Sequence, residues 1–168
     1  LEKNDSLQAR VLLDKQAKNM QSLHVDIRES ITGLQLAGST EQGMWQSLEE
    51  YLQWFKQNYE IAVTLTISQE FIPGLLPATT EVQLLRIIQE TLTNIRKHAN
   101  ARQVNITITA NDTWVTIDVA DDGNGFDMTA TTAKKGSFGL KIMQERADEN
   151  SATLCIKSKP NAGTTLRL

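Results

Sequence analysis

The 168-residue sequence predicts an α/β fold, a two-layer sandwich in which a mixed sheet of about five strands packs on about three helices, with a further helix protruding at the N-terminus. Two observations carry this. Between Thr40 and Leu168, segments of helical period and segments of period two follow one another. The strand-like segments alternate apolar with polar residues, so the helices cover one face of the sheet. The chain is long enough to bury about 70% of its unfolded surface around one core, with a smaller appendage besides.

Each element has its own signal. Thr40 with Gly43 opens a helix whose apolar face, Met44, Leu48, Tyr51, Leu52 and Phe55, runs up to Asn58. Ile61, Val63, Leu65 and Ile67 then alternate with small and polar residues as a strand, which Pro73-Gly74 and Pro77 end. A helix over Thr80 to Ala99 carries Leu84, Leu85, Ile88, Leu92, Ile95 and Ala99 on one side. At about 100° per residue, Glu90, Asn94 and Lys97 fall within an arc of roughly 60° on the other side. Asn94 has no propensity reason to sit mid-helix, and its side-chain carbonyl is a reasonable oxygen ligand for Mg²⁺. The strands Val104-Ile106-Ile108 and Val115-Ile117-Val119 join through Asn111-Asp112 as a hairpin. Met128 to Lys135 is rich in Thr and Ala without an apolar period, a loop of the kind that closes over a ligand. Phe138 to Glu149 is helical again, with Asn150 as a left-handed cap. Leu154-Cys155-Ile156 and Thr165 to Leu168 complete the sheet, with Cys155 expected to pack as a small apolar residue.

The N-terminal region is different. Leu13, Ala17, Met20, His24, Ile27, Ile31 and Leu34 recur at steps of four and three with no proline from Asp5 to Ala37, a heptad seam that asks for partner helices. Gly38-Ser39-Thr40 ends it. The expected division is therefore 1–39, a partial dimerisation helix, and 40–168, the compact domain.

Composition excludes several classes. With 17 basic against 20 acidic residues there is no basic stripe for nucleic acid or an anionic membrane. No apolar run approaches the ~18 residues of a spanning helix, and nothing at the N-terminus resembles a signal peptide, so the chain reads as soluble. Because it opens on Leu1, it reads as a piece of a longer protein whose membrane or sensory parts lie upstream. One cysteine cannot form an internal disulfide, and His24, His98 and Cys155 are too few for a zinc site.

The chemistry concentrates between Ala120 and Gly139. An apolar strand runs into Asp121-Asp122-Gly123-Asn124-Gly125, a D-x-G-x-G pattern. Its glycines let backbone approach a flat ligand, and its carboxylate can accept from an exocyclic amine. Gly136 and Gly139 stand at the start of a helix, where unpaired amides and the positive helix end suit a phosphate chain. By itself D-x-G-x-G also describes an ordinary strand-to-loop turn. Here Gln89 to Ala99 precedes it, and Ala162-Gly163-Thr164-Thr165 follows as the opening of the last strand.

In order and spacing these four elements resemble the nucleotide-binding boxes of the histidine-kinase ATPase domain, within the wider family shared with gyrase-type ATPases. The resemblance covers about Glu41 to Leu168. Lys97-His98-Ala99 and Gly139 to Ala147 are most similar to the nitrate/nitrite-type sensor kinases, although Asn150-Ser151 stands where that subgroup often has Gly-Gly. The resemblance implies that ATP and Mg²⁺ bind. Asp121 would accept from the adenine amino group, Gly123 and Gly125 would shape the adenine pocket, and Thr164 would close its end. Asn94 would ligate Mg²⁺, Glu90 would orient a water or the incoming imidazole, and Lys97 would neutralise phosphate charge. Gly136, Gly139 and Leu140, with the amides around them, would hold the triphosphate.

The resemblance also implies a histidine acceptor on a dimerising bundle of the same kinase, a response regulator as the next partner, and a cytoplasmic domain of an inner-membrane sensor. His24 does not fit the acceptor. Val25 separates it from Asp26, the seam turns it toward partner helices, and only about ten residues of helix follow it. The acceptor is thus expected outside this chain. The alternatives are a serine kinase of the anti-sigma type, which has no use for the helix before Gly38, and a non-catalytic nucleotide-binding or dimerisation module.

Overall fold

The structure, a computed structural model, describes residues 43–72, 74–128 and 138–168, together with Leu12, Leu13, Gln16, Ala17 and Met20. Those five isolated residues are helical and exposed. The rest of the seam, His24 included, the Gly38 break and the Met128 to Lys135 loop beyond Met128 itself lie outside the described residues, as does Gly136.

The elements follow the order α1 (Gly43–Asn58), β1 (Ala62–Ile67), α2 (Ala78–Asn94), β2 (Gln103–Ala110), β3 (Val115–Asp121), α3 (Phe138–Glu149), β4 (Cys155–Ser158) and β5 (Thr164–Arg167). The sheet has five strands in the order β1-β2-β3-β5-β4. β1 and β2 run parallel, as a strand-helix-strand crossover through α2 requires, and the remaining pairs are antiparallel. This is the expected mixed sheet on three helices. Its uncovered face carries an Arg167–Asp118 pair in which Nε and Nη2 of the guanidinium donate to the two carboxylate oxygens, at 2.7 and 2.9 Å.

Period-two alternation places Val104, Ile106 and Ile108 of β2 with Ile117 and Val119 of β3 on the covered face, all essentially buried. Leu48, Tyr51, Leu52 and Phe55 of α1 and Leu84, Leu85, Ile88 and Leu92 of α2 close over them. A second cluster, Ile87, Met143, Ala147 and Leu166, locks α3 to α2 and to β5. Trp45 anchors the start of α1, its indole N–H donating to the buried Glu81 carboxylate at 3.3 Å while its ring meets Phe71 edge-on.

Three local expectations change. The helix expected to run straight from Thr80 to Ala99 instead spans Ala78–Asn94 and widens into a π-helical turn over Ile95–Ala99, ending at Asn100 in the left-handed region (φ 50°). Cys155 is exposed rather than packed. It opens β4 opposite Arg167, and the alternation turns Leu154 and Ile156 inward instead. After α3 the left-handed residue is Ser151 (φ 54°) and not Asn150, whose side-chain amide donates to the Arg146 carbonyl.

Candidate nucleotide site

β3 ends where α2 ends, because β2 returns from the α2 terminus and the hairpin brings β3 back beside it. A cleft of about 280 Å³ opens at this meeting point. Its walls are Thr91, Asn94, Ile95, His98 and Ala99 from the α2 side and Gly139, Leu140 and Met143 from α3. Val119, Asp121, Gly125 and Phe126 lie along β3 and the loop after it, with Ile156, Thr164 and Leu166 from the last two strands. The volume lies just below the range of small-molecule sites, roughly 300–1,000 Å³. Apolar side chains make most of the wall, and few polar groups converge on it.

Asp121 is one of those few. It pairs with Thr164 across β3 and β5, and its Oδ1 accepts the Gly123 amide at 2.8 Å. Burial raises its carboxyl above the ordinary aspartate value, against the lowering effect of the Gly123 and Thr164 amides, and the neighbouring Asp122 charge adds to the rise. Asp122 faces the other way. Its Oδ1 accepts the amides of Arg102 and Gln103 at 2.8 and 2.9 Å, which ties the end of β3 to the start of β2. Those two amides, Gln103 first, hold its carboxyl below the ordinary value. Adjacent carboxylates thus divide the work, one facing the cleft and one fastening the sheet.

The motif glycines answer mainly to the protein itself. A Cβ on Gly123 would run into the Ala99 carbonyl and lie 2.7 Å from the Ala99 Cβ. One on Gly125, whose φ is +56°, would strike the Lys159 carbonyl. Gly125 lines the cleft and Gly123 does not. Gly123 instead accepts the Gly163 amide at 2.9 Å, which binds the loop after β3 to the one before β5. Ser158 ties the same region together. Its hydroxyl receives the Phe126 amide at 2.8 Å and lies 2.9 Å from the Thr164 hydroxyl and 3.1 Å from the Gly163 carbonyl.

On the opposite wall the Asn94 side-chain N–H donates to Glu90 Oε1 at 3.3 Å, one helical turn earlier. That bond turns the Asn94 carbonyl oxygen away from Glu90, with no donor upon it among the described residues. Gly139 stands directly against the Glu90 carboxylate, and a Cβ there would overlap Oε1. Glu90, Asn94, Gly139 and Leu140 are therefore together. Lys97 is not on the cleft wall; it is exposed, and the π-helical turn presents His98 and Ala99 to the cleft instead.

These residues suit a purine and a hydrated Mg²⁺. The apolar walls fit a flat ring, and Asp121 is a half-buried acceptor. Among the described residues no three His, Cys, Asp or Glu side chains are grouped so that they could hold a metal ion. A cation here would take the Asn94 oxygen together with water and phosphate oxygens, the usual manner of Mg²⁺.

His98, Phe126 and Ser158 escaped the sequence reading. A straight helical wheel points Lys97 toward Glu90, and nothing in Ile95-Arg96-Lys97-His98-Ala99 announces a π turn. Phe126 adjoins the motif and could have been taken with it. Ser158 could have been found from its place at the end of a strand facing the motif, given the register.

Residues 79–168 match the family described as histidine kinase-, DNA gyrase B-, and HSP90-like ATPase. The chain is 34% identical over 152 residues to the signal transduction histidine-protein kinase/phosphatase DegS of Brevibacillus brevis, covering 89% of this chain and 38% of that protein. It is 28% identical over 156 residues to the nitrate/nitrite sensor protein NarX of Escherichia coli K12, covering 93% of this chain and 25% of that protein. The chain thus spans only about a quarter to two fifths of the length of these relatives. Among solved structures, the Erythrobacter litoralis EL346 blue-light activated histidine kinase matches with a TM-score of 0.67 at 18% identity, over 84% of this chain and 52% of that one. The ATP binding domain of PrrB from Mycobacterium tuberculosis matches with a TM-score of 0.53 at 20% identity, over 70% of this chain and 84% of that one. At such identity these two speak for the fold alone. The chain belongs to the histidine kinase-, DNA gyrase B- and HSP90-like ATPase family, and within it is an ATP-binding domain of the histidine-kinase type.

Proposed function

We propose that this domain binds Mg-ATP in the cleft between α2, α3 and the loop after β3, and passes the γ-phosphoryl group to a histidine outside residues 1–168. The observation that carries the reading is the opposition of Asp121, a half-buried carboxylate of an apolar cleft, to Asn94, whose carbonyl oxygen on the facing helix has no donor among the described residues. Asp121 accepts from the adenine amino group while Thr164 keeps it in place. Asn94, held by Glu90, ligates Mg²⁺. Glu90 also orients the incoming imidazole or a water, and Gly136, Gly139 and Leu140 let backbone approach the phosphates. Mg-ATP supplies the group transferred: a nitrogen–phosphorus bond forms as the bond from the γ-phosphorus to its bridging oxygen breaks, and ADP leaves. Positioning and charge neutralisation suffice for this chemistry, so the domain needs no nucleophile of its own.

On this reading residues 1–39 are the second helix of a dimerisation bundle and 40–168 the catalytic domain. Both lie on the cytoplasmic side of a sensor whose phosphohistidine serves a response regulator. The relatives' names support a sensor kinase. Incubation with γ-labelled ATP tests the proposal. The chain alone should form no acid-labile phosphohistidine, and a separate bundle fragment carrying an apolar-His-Asp motif should become labelled when added. Transfer should be slow without the tether that gives a high effective concentration. Label on His24 would overturn the assignment of the acceptor, and label on serine of an added protein would favour the anti-sigma-type alternative.

A further inference from the structure

Arg86 of α2 and Arg146 of α3 stand together, and among the described residues neither forms an ion pair. Arg146 donates to the Gln83 side-chain carbonyl, and Gln83 lies one turn before Arg86 on the same helix face. Arg86 donates to the Gln89 side-chain carbonyl at 3.5 Å. Both arginines are half-buried, and among the described residues neither pairs with a carboxylate. Burial, and then the Arg146 charge, lower the Arg86 guanidinium from its ordinary value. A fold that needed only to cross-brace two helices could use one arginine and one carboxylate. Here two fork-shaped donors keep most of their N–H groups for something else.

The surroundings say what that is. Because Gly139 meets Glu90, while Arg146 meets Gln83, α3 runs antiparallel to α2. The groove between them has the phosphate end of the cleft at one end and the arginine pair at the other. Arg86 precedes Glu90 by one turn, and Arg146 follows Gly139 by two, so the pair lies on the order of 6–10 Å along the groove from the Glu90–Gly139 contact. Phe138 and Ile142, four residues apart on α3 and exposed (74% and 41%), continue the stripe that ends at Arg146. Neither arginine lines the nucleotide cleft.

We propose that Arg86 and Arg146 form a carboxylate-recognising pair that docks an acidic, amphipathic helical segment of the phosphate-accepting protein, with Phe138 and Ile142 taking its apolar side chains. The occupant is a protein helix bearing Asp or Glu; charge complementarity selects it, and the apolar stripe beside the pair excludes a simple phosphate pocket. It rests on the reading of the cleft as a phosphoryl-transfer site and names the feature its protein substrate carries. The acidic residue lies within one to two helical turns of the residue that receives the phosphate. Arg86 and Arg146 are positioning residues, since they touch the partner and not the reacting atoms.

The test uses the whole chain and a synthetic helical peptide of about fourteen residues that presents Leu and Glu on one face, with a Gln-for-Glu peptide as control. Side-chain NMR signals of Arg86 and Arg146 should shift with the Glu peptide and not with the control. Arg86→Gln/Arg146→Gln should bind the Glu peptide at least about tenfold more weakly while ATP affinity stays within about twofold. A circular-dichroism melt establishes that the variant is folded; were it not, Arg146→Lys, which keeps charge and loses the fork, supplies the same comparison. Equal shifts with both peptides, no shift with either, or loss of the shifts on adding ATP would overturn the pair as a protein-docking element. Failure of ATP to bind the wild-type chain would count against the proposed function, and the peptide titration would still decide this one.

Discussion

Gly123 lies against Ala99 so closely that a single methyl group on the glycine would overlap the Ala99 carbonyl. The same carbonyl accepts the Asn124 amide at 2.7 Å. The loop after β3 is thereby seated on the terminal π turn of α2, and the two walls of the cleft are held in register.

Gly123→Ala should therefore destabilise the fold and not merely the site. Overpacking of this kind costs about 1–3 kcal/mol, and urea denaturation should show it with or without nucleotide. A variant of wild-type stability would mean that the loop shifts freely, against the seating described.

Gly139→Ala should behave differently, because its Cβ would meet the far end of the Glu90 side chain rather than backbone. Glu90 can swing aside, so the stability change should stay below about 1 kcal/mol. Phosphoryl transfer should suffer, since the Glu90–Asn94 bond depends on that side chain. Denaturation and a labelling assay on one preparation separate the two effects.

The adjacent carboxylates should have opposite pH signatures. The folded-state value of Asp121 is raised, so its contribution to stability falls as pH rises from the unfolded value near about 3.9 through the folded one, and the penalty stays constant above that. Asp121→Asn keeps an acceptor for the Gly123 amide and removes the charge. It should be more stable than wild type at neutral pH while binding ATP roughly ten- to a hundredfold more weakly. Asp122 has a lowered folded value, so it contributes stability above its unfolded value and loses it as pH falls through the folded one. Asp122→Ala should be less stable at neutral pH, with the difference vanishing in acid. Urea midpoints from pH 3 to 8 check both signs.

Asn94→Ala should abolish the Mg²⁺-dependent part of ATP affinity and leave adenosine binding nearly unchanged. An unchanged Mg²⁺ titration would make Asn94 a mere partner of Glu90.

Much of the architecture was legible because burial here follows period. Val104, Ile106 and Ile108 alternate in sequence and are buried in the sheet. The span Phe138–Glu149 has both the pattern and the helix. Where local geometry departs from the regular period, the reading failed. The π turn rotates His98 toward the cleft and leaves Lys97 exposed, and pattern alone could not show it. Cys155 was read from the apolar character of its neighbours, whereas strand alternation decides its face. The glycines of D-x-G-x-G were read for a ligand. Their closest constraints prove to be Ala99 and Lys159, contacts that arise only when distant loops meet.

The central claim is that Asp121 makes this cleft an adenine site. Calorimetric titration of the wild-type chain with ATP and then GTP, each with Mg²⁺, tests it most directly. ATP should bind at least about tenfold more tightly, because GTP turns a keto oxygen toward a carboxylate where ATP offers an amino donor. Equal affinities for the two nucleotides would contradict the account.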